Sequence, residues 1–200
     1  MKKNNYFLNF IMSYYNIFFK VLFFEIFYSI YLKELLPKIK IQNNSERTDT
    51  VPCIFYFLYK ISKFIQKKDI KSVVDIGSGY GRVVNFISFK NKIRCHGIEY
   101  DKEVYTSALK IKENRVKLYC GDVLNFNLKK LKSKCFILVD PFKKAQDNKK
   151  FLSKIKKLFP KEKKYVISVN YSKGKFPNEW KLIHSIIGSK SRTLKIFEIN

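Results

Sequence analysis

The chain has 200 residues, enough for one domain with a buried core plus an extension. Apolar residues make up 46% and aromatics 16% of it, which excludes a disordered chain and gives a globular body. The net charge of +25 points either to a polyanionic partner, nucleic acid or anionic membrane, or to a composition rich in Lys, Asn, Ile, Phe and Tyr of the kind that A+T-rich codons yield.

Lys2 and Lys3 precede an aromatic and aliphatic segment from Tyr6 to Leu36, closed by Pro37. Its length would cross a bilayer, but Lys20 and Glu25 fall near its middle, and a central Lys costs about 2.5–3.5 kcal/mol on insertion scales. Asn9, Ser13, Asn16 and Lys20 form one polar stripe and Glu25, Ser29 and Lys33 another, so the spacing predicts one or two amphipathic helices with a break near residues 21–24. Three fates stay open for residues 6–36: packing on the domain that follows, peripheral contact with a membrane surface, and homodimerisation. No small-residue cleavage site follows the apolar run, and Arg and Ser are too scarce for a mitochondrial presequence. Residues 1–40 are therefore read as a helical extension, 41–51 as a polar linker, and 52–200 as the main domain.

Pro52 opens a helical pattern with Ile54, Phe55, Phe57, Leu58, Ile61, Phe64 and Ile65 apolar. From Ser72 the units alternate: strand 72–77, helix 80–90, strand 93–99, helix 101–112, strand 116–121, strand 135–140, helix 145–159 and strand 164–170. Strands separated by helices imply a parallel sheet with right-handed crossovers. Residues 123–134 leave room for a short helix only. The stretches 180–187 and 193–199 alternate apolar and polar residues around Gly188-Ser189-Lys190-Ser191, which predicts a closing antiparallel hairpin.

The chain is organised around Ser72 to Val84, where Val73 and Val74 run into Asp75 and glycines follow at Gly77, Gly79 and Gly81. The dinucleotide fingerprint G-x-G-x-x-G counted from Gly77 needs a glycine at position 82, where Arg82 stands. D-x-G-x-G-x-G puts a carboxylate at the strand end, which repels a pyrophosphate and welcomes a cationic ligand. The next strand ends at Glu99, the third at Asp122 and the fourth at Asp140-Pro141-Phe142.

This succession of acids on strand ends resembles class I, Rossmann-like S-adenosylmethionine (SAM) methyltransferases from about residue 70 to the C-terminus. The resemblance implies an α/β three-layer sandwich on a mostly parallel seven-stranded sheet closed by the C-terminal antiparallel hairpin, with SAM as cofactor and S-adenosylhomocysteine as product. It places Asp75, Gly77, Ser78 and Gly79 at the methionine end, Glu99 on the ribose, and Asp122 with Val123 on the adenine. Asp49, Thr50 and the turn before Pro52 are expected to approach the site, and Asn170-Tyr171 to border it. Asp140-Pro141-Phe142 is similar to the four-residue motif of enzymes that methylate amino nitrogens, with one Pro fewer. Asp140, Pro141 and Phe142 are the candidate catalytic residues, and a turn at Asp140 with Phe142 packed on the sheet is the competing reading.

The leading functional reading is methyl transfer to nitrogen or oxygen of a protein side chain or a small molecule such as a sugar. Methylation of an RNA or DNA base stands beside it, favoured by charge and by Asp140-Pro141-Phe142, opposed by scarce Arg. A non-catalytic SAM-binding or membrane-associated scaffold is the third. Cys95, Cys120 and Cys135 fall inside predicted strands and are read as core residues of a cytoplasmic protein. With His96 and His184 alone and no C-x-x-C, no metal is expected.

Overall fold

The computed structural model describes residues 8–32, 39–40, 49–170 and 176–200. Its elements in chain order are α1 (Phe18–Tyr31), α2 (Phe55–Lys67), β1 (Ser72–Ile76), α3 (Arg82–Asn91), β2 (Arg94–Glu99), α4 (Lys102–Leu109), β3 (Val116–Cys120), β4 (Cys135–Val139), α5 (Ala145–Lys157), β5 (Lys164–Val169), β6 (Lys181–Ile187) and β7 (Thr193–Ile199). The predicted strands and helices recur within a few residues of their expected ends. Lys2, Lys3, Tyr6, Lys33, Leu36, Pro37, residues 41–48, Tyr171 and residues 172–175 lie outside the described residues.

The strands form one sheet in the order β3-β2-β1-β4-β5-β7-β6. β1 pairs in parallel with β2 and β4, and β7 is antiparallel to both β5 and β6. This is the expected three-layer α/β sandwich with its antiparallel closure. Side chains alternate across it, as a period of two requires. Val73, Cys135, Ile137, Ile167 and Ile196 join the core under α2 and α3. Val74, Phe136, Leu138, Val166 and Phe197 join the opposite core with Phe151, Leu152 and Ile155 of α5. Only a 3-10 turn, Leu128–Leu131, bridges β3 and β4. Cys95 and Cys135 are buried as expected, but Cys120 is exposed because it ends the edge strand, where the helical layers no longer cover it.

Residues 8–32 share the first of these cores through Phe10, Ile11, Tyr14, Val21 and Tyr28. The predicted break near residues 21–24 is instead at 13–17, where a turn and a 3-10 segment precede a continuous α1. Two hydrogen bonds account for it: the Ser13 hydroxyl donates to the Phe10 carbonyl at 2.6 Å, and the Asn16 amide donates to Gly188 O of the hairpin turn at 3.0 Å. Residues 21–24 are all apolar and carry nothing that breaks a helix. Arg192 Nε donates to Ser13 Oγ at 2.9 Å, and Asn170 Nδ2 donates to the Tyr14 hydroxyl at 2.6 Å. A Cβ on Gly188 would stand 2.8 Å from the Tyr14 ring, so only glycine admits this approach.

Glu25 faces inward, not to solvent as its stripe implied. Its Oε1 accepts from the Phe55 amide at 2.5 Å and its Oε2 from Arg82 Nη2 at 2.8 Å. Phe55 opens α2 and Arg82 opens α3, so one carboxylate satisfies an orphan amide of one helix and neutralises a cation at the N-terminus of another. Both side chains of the pair are almost wholly buried. Glu25→Ala is expected to destabilise the protein by about 3–5 kcal/mol in chemical denaturation, because it leaves the Arg82 charge buried without its carboxylate.

Candidate functional site

At the carboxyl ends of β1, β2 and β4 lies a cavity of about 890 Å³. The sheet order reverses direction between β1 and β4, and a parallel sheet opens a crevice at such a switch point. The cavity collects nearly all of the predicted site: Asp75, Gly77, Ser78, Gly79, Glu99, Asp122, Val123, Pro141 and Phe142 line it.

The turn after β1 is built for close approach. Gly77, Gly79 and Gly81 have φ of +70°, +53° and +84°, a region that side chains disfavour. A Cβ on Gly77 would lie 2.9 Å from Pro141 Cβ, and one on Gly79 would lie 2.8 Å from Thr50 Cγ2. The amides of Gly77 and Ser78 donate to Ile98 O at 2.9 and 3.1 Å, which locks the turn onto the end of β2.

The two acids at this turn differ in their surroundings. Glu99 Oε2 accepts from the Gly79 amide at 2.7 Å and Oε1 from the Asp101 amide at 2.8 Å. Burial raises the Glu99 carboxyl above its ordinary range, and these amides act against that rise. Asp75 is 1% exposed, and neither of its carboxylate oxygens has a hydrogen-bond partner among the described residues. Burial, with the Glu99 charge adding to it, pushes its pKa up to about 8. The Ser78 hydroxyl of the same turn is likewise buried without a partner among the described residues. A carboxylate and a hydroxyl left unsatisfied at a cavity wall leave places for ligand donors.

Asp122 Oδ1 accepts from the Leu124 amide at 2.8 Å and Oδ2 from Asn125 Nδ2 at 2.9 Å, so its carboxylate folds its own loop. That loop is held from below by Lys154 of α5, whose ammonium donates to the carbonyls of Val123, Leu124 and Phe126 at 3.1, 2.7 and 2.7 Å.

Asp140 has φ of +43° and does not contribute to the cavity lining, whereas Pro141 and Phe142 do. Phe142 also packs on Phe151 of α5, with ring centroids 5.3 Å apart. Phe142 thus faces both the cavity and α5. Asn170, expected at the pocket border, sends its amide to Tyr14 instead. Asp49, Thr50, Val51 and Pro52 do line the cavity, and Thr50 is tied to Lys40 by two backbone hydrogen bonds of 3.2 and 2.8 Å.

One wall had no residue assigned to it from the sequence, although Arg82 was expected close by. Leu32, Phe55, Arg82, Phe86 and Phe89 line the end of the cavity nearest α1. Arg82 donates from Nη1 to Cys53 O at 2.9 Å and lies 3.7 Å from the centroid of Phe55, so its guanidinium forms a fixed flat surface. The aromatic positions carry the same spacing as core positions, so nothing in the sequence separated them. Among the described residues there is no group of His, Cys, Asp and Glu able to hold a metal ion.

Lys154→Met is expected to free the loop at residues 122–126. Hydrogen exchange should quicken at the Leu124 and Asn125 amides, which donate to Asp122, while protection in β1 and β4 stays as it was.

No protein-family profile matches the chain, and no curated protein matches it in sequence. Solved structures match it in fold. An RNA methyltransferase from Salinibacter ruber, crystallised with S-adenosyl-L-homocysteine, superposes with a TM-score of 0.56 at 20% identity over 74% of this chain and 94% of that one. The methyltransferase domain of bacterial CtHen1-CN gives 0.56 at 10% identity over 72% and 97%. A provisionally assigned caffeoyl-CoA O-methyltransferase from Staphylococcus aureus gives 0.58 at 15% identity over 88% and 92%. The strand order, the antiparallel closure and these superpositions agree: the chain has the class I, Rossmann-like methyltransferase fold.

Proposed function

We propose that the protein is a SAM-dependent methyltransferase that transfers a methyl group to a nitrogen or oxygen of a protein side chain or a small molecule. The observation that carries this reading is Asp75, buried at the glycine turn with neither oxygen partnered among the described residues. The ammonium of an amino-acid moiety supplies the charge and the donors that this carboxylate lacks. Asp75, Gly77, Ser78 and Gly79 would hold that end of SAM, Glu99 the ribose through its remaining lone pairs, and Asp122, Val123 and Leu124 the adenine. When bound, SAM supplies a methyl group already activated on a sulfonium, so no side chain has to activate it. The work left to the chain is to exclude water and orient the acceptor. Phe55, Phe86, Phe89 and Leu32 supply apolar walls for this, and the fixed Arg82 guanidinium supplies a flat polar one.

The sign of the pH dependence follows from Asp75. With a pKa of about 8 in the free protein it is largely protonated at neutral pH, and an ammonium beside it favours the carboxylate. Binding of SAM is therefore expected to release about one proton at neutral pH and to tighten as pH rises towards 8. Calorimetry in two buffers of different ionisation enthalpy measures the release, and Asp75→Asn should abolish it. Binding of NAD in place of SAM and S-adenosylhomocysteine would refute the reading.

A second reading, methylation of an exocyclic amine on a nucleic-acid base, is favoured by Pro141 and Phe142 in the cavity wall and opposed by the place of Asp140 outside it. Asp140→Gly removes the carboxylate and keeps the positive φ without strain. Under the first reading its methyl transfer stays within about twofold of the parent, and total RNA takes up no label. RNA labelling that falls about a hundredfold in this variant would favour the second.

A further inference from the structure

The outward face of α1 is apolar from end to end. Phe19, Phe23, Ile26, Phe27, Ile30 and Tyr31 are all exposed, Phe19 at 82% and Ile30 at 69%. They recur at the three- and four-residue spacing of a single stripe, and Lys20 is the one polar residue exposed among them. The inner face carries Val21, Glu25 and Tyr28, all buried. The helix is thus inverted relative to an ordinary surface helix, with its acid inside and its aromatic rings outside.

A row of lysines borders the stripe. Lys60 and Lys63 lie 5.5 and 5.7 Å over the rings of Tyr56 and Tyr59, and both rings contact Phe24 of α1 at 5.3 and 5.1 Å. Further along, Lys90 lies 5.0 Å over Tyr28 and 5.6 Å over Tyr31, and Lys92 lies 4.8 Å over Phe89. Apolar rings bordered by amines match a surface that is apolar a few ångströms down and anionic on top.

We propose that this face docks on an anionic lipid surface, with α1 lying in the interfacial plane, its rings at the acyl boundary and the lysines among the headgroups. The 14 residues of α1 are too few for a span, which needs about 20, and no described helix is long and apolar enough to cross a membrane. A second copy would set the same lysines against these and repel them. The rings of the stripe offer π-faces, but Ile26 and Ile30 between them offer none and suit acyl chains better than stacked bases. Tyr31 packs on Phe89 at 5.9 Å, and Phe89 and Leu32 line the cavity, so the docking face ends at the cavity rim. The inference does not depend on the reaction proposed above.

Co-sedimentation of the full chain with vesicles tests it. Vesicles of phosphatidylcholine with about one third phosphatidylglycerol should pull the protein down well, and pure phosphatidylcholine should do so weakly. The triple substitution Phe19→Ser, Phe23→Ser and Phe27→Ser should weaken partitioning at least about tenfold. Lys60→Gln with Lys63→Gln should weaken it several-fold on the anionic vesicles only. These side chains lie outside the core, and unchanged circular dichroism and unfolding midpoints confirm that the variants fold. Parent protein left in the supernatant, or a triple variant that binds like the parent, would overturn the proposal. Binding of total RNA through the same phenylalanines, without vesicle binding, would assign the face to nucleic acid. A dimer dispersed by the triple substitution, again without vesicle binding, would assign it to a second copy.

Discussion

The contact on which the architecture turns is the buried carboxylate of Glu25 between the first amide of α2 and the guanidinium of Arg82. A cation at the first position of α3 opposes that helix's dipole, and a buried one has little water to offset this. Glu25 compensates both, and it reaches the site only if α1 turns its Val21, Glu25 and Tyr28 face inward. The orientation of α1 follows, and with it the exposure of the phenylalanine stripe on the other side. Leu32, just past the end of α1, then becomes part of the cavity wall. Net stabilisation by such a pair is modest, since desolvation offsets most of the attraction; its effect is on specificity of arrangement.

At the other end of the cavity the ruling constraint is space. β1 and β4 are neighbours, so the first residues after each strand meet, and Gly77 stands against Pro141. The 2.9 Å left for a Cβ at Gly77 explains a glycine there on packing grounds as well as on φ. Asp75, paired within β1 to both β2 and β4, is buried. Glu99, one strand over, is buried too, but the Gly79 and Asp101 amides donate to it. Two carboxylates at adjacent strand ends thus enter the cavity in different states, one satisfied by the backbone and one awaiting donors.

The large positive charge divides into parts with different physical roles. Lys164 is buried and its ammonium donates to the carbonyls of Leu158 and Phe159, capping the end of α5 from within. Lys154 holds the loop after β3, and Lys40 bridges Asp101 and Glu103 at the start of α4. Lysines beside the α1 stripe sit over aromatic rings with their amines near the surface, the arrangement long amphipathic side chains favour. A net charge read from composition sums these roles and hides the difference between them.

Much of the frame was legible in the chain because it rests on local rules. Period-two apolar runs mark the strands, glycines at alternate positions mark a turn that side chains cannot enter, and an acid at each of several strand ends lands at the crevice that a parallel sheet creates. Asp75, Gly77, Ser78, Gly79, Glu99, Asp122 and Val123 meet there for that reason. Other features depend on partners far away in the chain. The α1 break moved to residues 13–17 because the hairpin turn, some 170 residues on, supplies Gly188 O. Glu25 turned inward because Arg82 and Phe55 wait for it, and Asn170 turned from the cavity to Tyr14. Asp140 takes a positive φ, which Asp tolerates better than most residues, and stands outside the cavity lining. The sequence by itself determined the sheet, the glycine turn and the acids at strand ends, since each follows from near neighbours. Only the tertiary structure decided which face of α1 is buried and which rings close the cavity, because charge pairing and burial are settled between elements, not along them.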